Sequence, residues 1–165
     1  MNTTTASSAA PAALVQLAAL RKTYNAGLPS EQEVLHGINL EIRAGEFAAL
    51  IGPSGSGKST LLNILGLLEG GSGGVYRLAG RDVTQLDDDA RTQARHATLG
   101  FIFQFHHLLP AFSTLENVML PLDIIGYGAD DAAKRVRAAL DKVGLLGKEK
   151  ALPVTLSGGE QQRLA

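Results

Sequence analysis

The sequence predicts an α/β fold, and three stretches carry that expectation. Phe47–Ile51 is apolar at every position, the pattern of a strand covered on both faces in a parallel sheet. It runs straight into the glycine-rich stretch Gly52–Gly57, after which Lys58–Leu68 reads as a helix. Further on, Ala133, Val136, Leu140 and Val143 recur at helical spacing, and Gly144 closes that segment.

The other elements follow in chain order. Met1–Pro11 is Thr, Ser and Ala without a basic residue, unlike a secretory signal, and residues 1–12 are expected to be a disordered tail. Leu14–Leu20 suits a strand and Tyr24–Gly27 a turn. Ile38–Ile42 alternates apolar and polar residues, as a half-buried strand does. Glycines from Gly70 to Gly80 punctuate short apolar pieces, which predicts antiparallel hairpins. Asp87–Asp89 precede a short helix over Ala90–His96, where their charge favours the helix dipole. Leu99–Phe103 reads as another buried strand. Ser113 and Glu116 have the spacing of a reciprocal helix cap. The order is β, then mixed, then mostly α.

Composition narrows the class. The chain has 165 residues, 45% of them apolar, enough for one domain with a real core. A net charge of −1 argues against a partner held by a broad basic face, so nucleic acid is not expected. With no cysteine there is no disulfide framework. No apolar run approaches the roughly 20 residues that span a bilayer, so any work at a membrane would go through a partner.

The first chemical motif is Gly52-Pro53-Ser54-Gly55-Ser56-Gly57-Lys58-Ser59, followed by Thr60. It fills every fixed position of G-x-x-x-x-G-K-[ST]. Glycines let backbone N–H groups turn inward around phosphate oxygens, and the following helix adds its positive end. Lys58 is placed to meet the β- and γ-phosphates of a nucleotide and the Ser59 hydroxyl to ligate Mg²⁺. A merely flexible Gly/Ser loop is the plainer alternative, and the flanking strand and helix speak against it. Kinases, GTPases, helicases and transporters share this loop, so it does not by itself name the reaction.

The second motif is Leu156-Ser157-Gly158-Gly159-Glu160-Gln161-Gln162-Arg163. Read locally, Ser157 is a helix N-cap and Glu160 its reciprocal partner, which makes a second anion-favouring helix end. Beside an intact phosphate loop, these eight residues resemble the signature sequence of ATP-binding cassette (ABC) transporter ATPases. The stretch Phe101–Pro110 and then Leu115–Val118 look like the LolD-type lipoprotein-releasing and macrolide-exporter group. The likeness runs from about Leu14 to Arg163.

That resemblance implies a P-loop core of the ABC type with an antiparallel β subdomain and an α-helical subdomain, over residues 13–165. It implies ATP and Mg²⁺ as ligands, a second ATP-binding subunit in a head-to-tail dimer, and integral membrane permease subunits. The expected location is the cytoplasmic face of the inner membrane. Ser157, Gly158, Gly159 and Glu160 would serve the partner's nucleotide. Tyr24 stands where the family stacks an aromatic on adenine, although a plain turn tyrosine is the simpler reading. Gln104 matches the glutamine that senses Mg²⁺ and faces the membrane partner. His106 and His107 diverge as neighbours and have no third ligand nearby, so they are expected at the membrane-subunit surface and not at a metal.

The sequence departs from the family by ending at Ala165, inside the signature helix. Family members continue with the Walker B strand, a catalytic glutamate and a γ-phosphate-sensing histidine. The resemblance therefore implies a cassette without its C-terminal core strands and with no catalytic base of its own, Lys58 and Gln104 supporting. Such a chain is expected to bind nucleotide poorly and to hydrolyse it hardly at all. A remnant that binds nucleotide or a partner without turnover is the alternative. A soluble cassette ATPase of repair or translation is disfavoured by the compact spacing between Lys58 and Ser157.

Overall fold

The computed structural model describes residues 13–165, and the tail expected over 1–12 lies outside them. The described residues divide into two units, one ending at Gly100 and one spanning Phe101–Ala165. In the first, β1 (Ala13–Tyr24), β2 (Gln32–Arg43), β3 (Gly73–Leu78) and β4 (Arg81–Asp82) form an antiparallel sheet of order β2-β1-β3-β4. β1 is an inner strand because it pairs on both edges: Leu17 opposes Leu40 on one side and Tyr76 on the other. Both long strands exceed the expected spans, since the β1–β2 ladder continues to the pair Tyr24 and Gln32. The β3–β4 hairpin forms as expected. Its two-residue turn, Ala79-Gly80, has φ of 49° and 79°, the left-handed geometry that matches the strand twist.

Two helices complete this unit, α1 (Lys58–Leu65) and α2 (Asp88–Thr98). Leu61, Ile64 and Leu67 from the α1 region join Leu17, Leu20, Leu35, Tyr76, Leu78 and Val83 in one core. Helix α1 stops three residues before the expected end at Leu68. There Gly66 N–H donates to Leu62, Leu68 N–H donates to Asn63, and Leu67 turns to φ 54° and is buried. Burying Leu67 outweighs the left-handed strain. Arg95 Nη1 caps its carbonyl at 2.7 Å, and Asp87 caps α2 by accepting the Ala90 amide at 2.8 Å.

Two expected strands do not form. Phe47–Ile51 has no ladder, and Phe47 and Ile51 are 98% and 89% exposed. Leu99–Phe103 is likewise irregular, with Ile102 93% exposed. An apolar run becomes a strand only where another backbone accepts and donates its hydrogen bonds. Among the described residues, none pairs with either segment. The strand expected at Phe47–Ile51 therefore does not form among the described residues, and the expected antiparallel sheet does.

The second unit is helical: α3 (Thr114–Ile124), α4 (Ala129–Lys142) and α5 (Gly158–Leu164), with a 3₁₀ turn at Pro153–Thr155. The Ser113–Glu116 reciprocal cap opens α3 as expected. Helix α4 buries Ala132, Val136 and Leu140, so the apolar stripe begins at Ala132 and not at Ala133. Val136, Leu140, Leu145, Leu156 and Leu164 form the core. Thr114 is fully buried, and its amide and hydroxyl both donate to the Ala151 carbonyl, at 2.8 and 3.0 Å. No helix among the described residues is long and apolar enough to cross a membrane.

Candidate functional site

In the first unit, the residues Gly52–Thr60 converge on one loop and the first turn of α1. Gly57 is the N-cap, at φ 84°, and no side chain caps the helix. The first-turn amides of Lys58, Ser59 and Thr60 therefore lack intrahelical acceptors and form the positive end of the helix. Gly57 is required twice over. Its φ is left-handed, and a Cβ there would lie 3.0 Å from the Leu35 side chain and 3.2 Å from the Val34 carbonyl oxygen. Leu35 is a core residue of β2, so this glycine lets the loop sit directly on the sheet.

Lys58 folds back over its own loop. Its Nζ donates to the carbonyls of Gly52 and Pro53, at 2.8 and 2.5 Å, and lies 3.5 Å from Ser56 Oγ. Ser56 Oγ in turn donates to Pro53 O at 2.9 Å. Among the described residues no carboxylate pairs with Lys58. An ammonium held by carbonyl and hydroxyl dipoles, beside three open amides, suits a polyanion: among the described residues the loop's donors have no anion to satisfy them. Ser59 is exposed beside them, with its hydroxyl on the first turn.

Tyr24, at the end of β1, belongs to the same neighbourhood. Its hydroxyl lies 3.5 Å from Thr60 Oγ1 and donates to Glu69 Oε2 at 2.9 Å. Lys22 Nζ sits 4.9 Å from the ring centroid, bonds Glu69 Oε2 at 3.0 Å and donates to Gly70 O at 2.7 Å. Burial alone would raise the Glu69 carboxyl, but hydrogen bonds from Lys22, Tyr24 and Asn63 outweigh it and leave it below the usual carboxylate range. Sequence reasoning singled out Tyr24 and missed Glu69 and Lys22. Glu69 is 45 positions from Tyr24 and no local pattern joins them.

The second unit holds Ser157, Gly158, Gly159 and Glu160 at the start of α5. Ser157 N–H and Oγ both donate to Glu160 Oε2, at 2.8 and 3.0 Å, and the Glu160 amide returns a bond to Ser157 Oγ at 3.4 Å. Lys148, which the sequence did not flag, donates to Glu160 Oε1 at 2.5 Å. The Lys148 ammonium first, then the Ser157 amide and hydroxyl, hold the Glu160 carboxyl down to about 2. Ser157, Gly158 and Gly159 are exposed.

Gln104 is an exposed bend residue of this second unit, whereas Ser59 belongs to the first. The carbonyl just before Gln104, that of Phe103, accepts from Gln162 Nε2 of α5 at 3.2 Å, so its loop is tied to the signature helix. The Phe103 ring stacks on Phe101 and meets His107 edge-on, at centroid distances of 5.5 and 5.4 Å. His106 Nδ1 is buried without a hydrogen-bond partner among the described residues.

A phosphate-type loop on an antiparallel sheet, with a capped S-G-G-E helix in a helical unit, defines a class of nucleotide-handling cassettes. Residues 35–165 match the family model for ABC transporters, and the chain belongs to that family. It is 53% identical over 152 residues to the lipoprotein-releasing system ATP-binding protein LolD of Anaeromyxobacter dehalogenans, a match covering 92% of this chain and 63% of that protein. It is 46% identical over 155 residues to the pyoverdine export ATP-binding/permease protein PvdT of Pseudomonas aeruginosa, covering 94% of this chain and 23% of that one. Among solved structures, it superposes on the ATP-binding cassette MJ0796, in a dimeric post-hydrolysis state bound to ADP and Pi. The TM-score is 0.76 at 39% identity, covering 91% of this chain and 66% of that chain. The chain thus spans under two thirds of the length of the LolD relative from A. dehalogenans.

Proposed function

We propose that this chain is the nucleotide-binding part of an ABC transporter ATPase subunit that serves lipoprotein release from the inner membrane. The observation that carries the reading is the Lys58 ammonium over the Gly52–Gly57 loop, with no carboxylate partner among the described residues, beside the open first turn of α1. The similarity to LolD relatives supports the lipoprotein branch.

In this reading the phosphates of ATP sit on the Gly52–Gly57 loop. The amides of Lys58, Ser59 and Thr60 take phosphate oxygens. Lys58 exchanges its two carbonyl partners for the β- and γ-phosphates, a stronger charge-assisted contact. Tyr24 offers its ring to the base. Ser59 would hold Mg²⁺, which when bound neutralises phosphate charge. Ser157, Gly158 and Gly159 would face the γ-phosphate on a second ATP-binding subunit, with Glu160 keeping Ser157 in place. His106, His107 and the exposed Phe105 lie in the segment proposed to meet membrane permease subunits, on the cytoplasmic face of the inner membrane. Export of another substrate is the second reading, favoured by the likeness to the pyoverdine export protein.

The test is nucleotide affinity by titration calorimetry. Lys58→Ala is expected to weaken ATP binding about tenfold to a hundredfold, the weight of a hydrogen bond to a charged group. Unchanged affinity would sink the assignment of the loop.

A further inference from the structure

Tyr24 ends a hairpin strand, keeps 36% of its surface exposed and lies outside the core. A ring so placed is free to turn about χ1 and χ2, and ordering it costs a ligand binding energy. Here three groups hold it. Lys22 and Tyr24 are two residues apart on β1 and so share a face of the sheet. The Lys22 ammonium covers one face of the ring at 4.9 Å, an attractive cation–π placement. Glu69 takes the hydroxyl at 2.9 Å and binds Lys22 at 3.0 Å. Lys22 and Glu69 are mostly enclosed, at 14% and 23% side-chain exposure, so their pairing is less screened than a surface pair. Lys22 is further anchored on Gly70 O, just beyond Glu69.

We propose that Glu69 is a positioning residue for nucleotide binding: with Lys22 it locks the Tyr24 ring, one face covered and the other presented to a purine base. This deepens the nucleotide reading of the Gly52–Thr60 loop and rests on it. The geometry favours a planar aromatic ligand. A cation already occupies one face of the ring, and the hydroxyl is directed away to Glu69 and Thr60. An ordinary structural tie between the β1–β2 hairpin and the end of α1 would use the same ion pair. It would not, however, distinguish the base from the phosphates.

The experiment exploits that difference. Mg-ATP and inorganic tripolyphosphate are titrated calorimetrically into the full chain and into Glu69→Ala, Tyr24→Phe and the double variant, with folding followed by circular dichroism. Each single variant is expected to bind ATP about three- to tenfold more weakly, the weight of one net hydrogen bond, and tripolyphosphate as the wild type does. The double variant is expected to lose no more than Glu69→Ala alone, because that change already removes the bond that Tyr24→Phe removes. Equal loss for tripolyphosphate, additive losses, or no loss of ATP affinity would each overturn the proposal. Should Glu69→Ala fail to fold, Tyr24→Phe, which removes only the hydroxyl, decides it on the same readouts. A wild type that binds tripolyphosphate as tightly as ATP overturns the proposal from beneath, because then no base is being stacked. Failure of both ligands to bind instead refutes the nucleotide reading of the loop, and the proposal falls with it.

Discussion

Lys148 and Glu160 form a 2.5 Å ion pair that locks the start of α5, because the other oxygen of the same carboxylate takes the amide and hydroxyl of Ser157. The folded Glu160 sits at about 2, below its ordinary 4.5. A depressed carboxylate contributes stability that is complete above the unfolded value and disappears as pH falls through the folded one. The cap should therefore hold down to about pH 4.5, weaken below it and be lost near pH 2. Side-chain carboxyl NMR of Glu160 checks this, with Lys148→Met expected to move its titration upward. A wild-type midpoint near 4.5 would show that the pair does not persist in solution.

Gly57 combines a left-handed φ of 84° with a position where an added Cβ would lie 3.0 Å from the Leu35 side chain. Gly57→Ala should cost about 1–2 kcal/mol from the backbone alone, with more from the contact. Urea unfolding measures it. A loss well under 1 kcal/mol would mean that the loop relaxes away from β2.

Tyr76 is buried in the sheet core, where its hydroxyl donates to Leu65 O at 2.8 Å, and burial pushes its phenol up to about 12. A raised folded value contributes stability that is complete below the unfolded value of 10 and is lost as pH rises through 12. Thermal melts should thus fall between pH 10 and 12. Tyr76→Phe should flatten that fall and cost about 1–2 kcal/mol at neutral pH by leaving the Leu65 carbonyl unsatisfied. An unchanged alkaline profile in Tyr76→Phe would assign the loss to other groups.

Phe47 and Ile51 are almost fully exposed within one apolar run, the composition of an aggregation-prone segment. The 165-residue chain is expected to be marginally stable and to self-associate on heating. Replacing both residues by Ser should suppress light scattering while changing the folding free energy by no more than about 0.5 kcal/mol each, as exposed sites do. A melting point lowered by several degrees would show that these side chains are packed.

The sequence by itself determined what is written in short range. The reciprocal caps at Ser113–Glu116 and Ser157–Glu160 close over three residues, and both form. The glycine loop into α1 and the Ala79-Gly80 hairpin are likewise decided by backbone freedom at single positions. Membership of the ABC family was legible for the same reason, since the loop and the Leu156–Arg163 signature are contiguous. Tertiary structure decided the rest. Phe47–Ile51 has the composition of a strand, yet a strand exists only through a neighbour's backbone, and none of the described residues supplies one. Leu67 left the helix because its burial outweighed one strained φ. Glu69 reached Tyr24 across 45 positions, and Lys148 reached Glu160 across 12. Such pairs arise where the chain returns in space, and nothing in the intervening residues records the meeting.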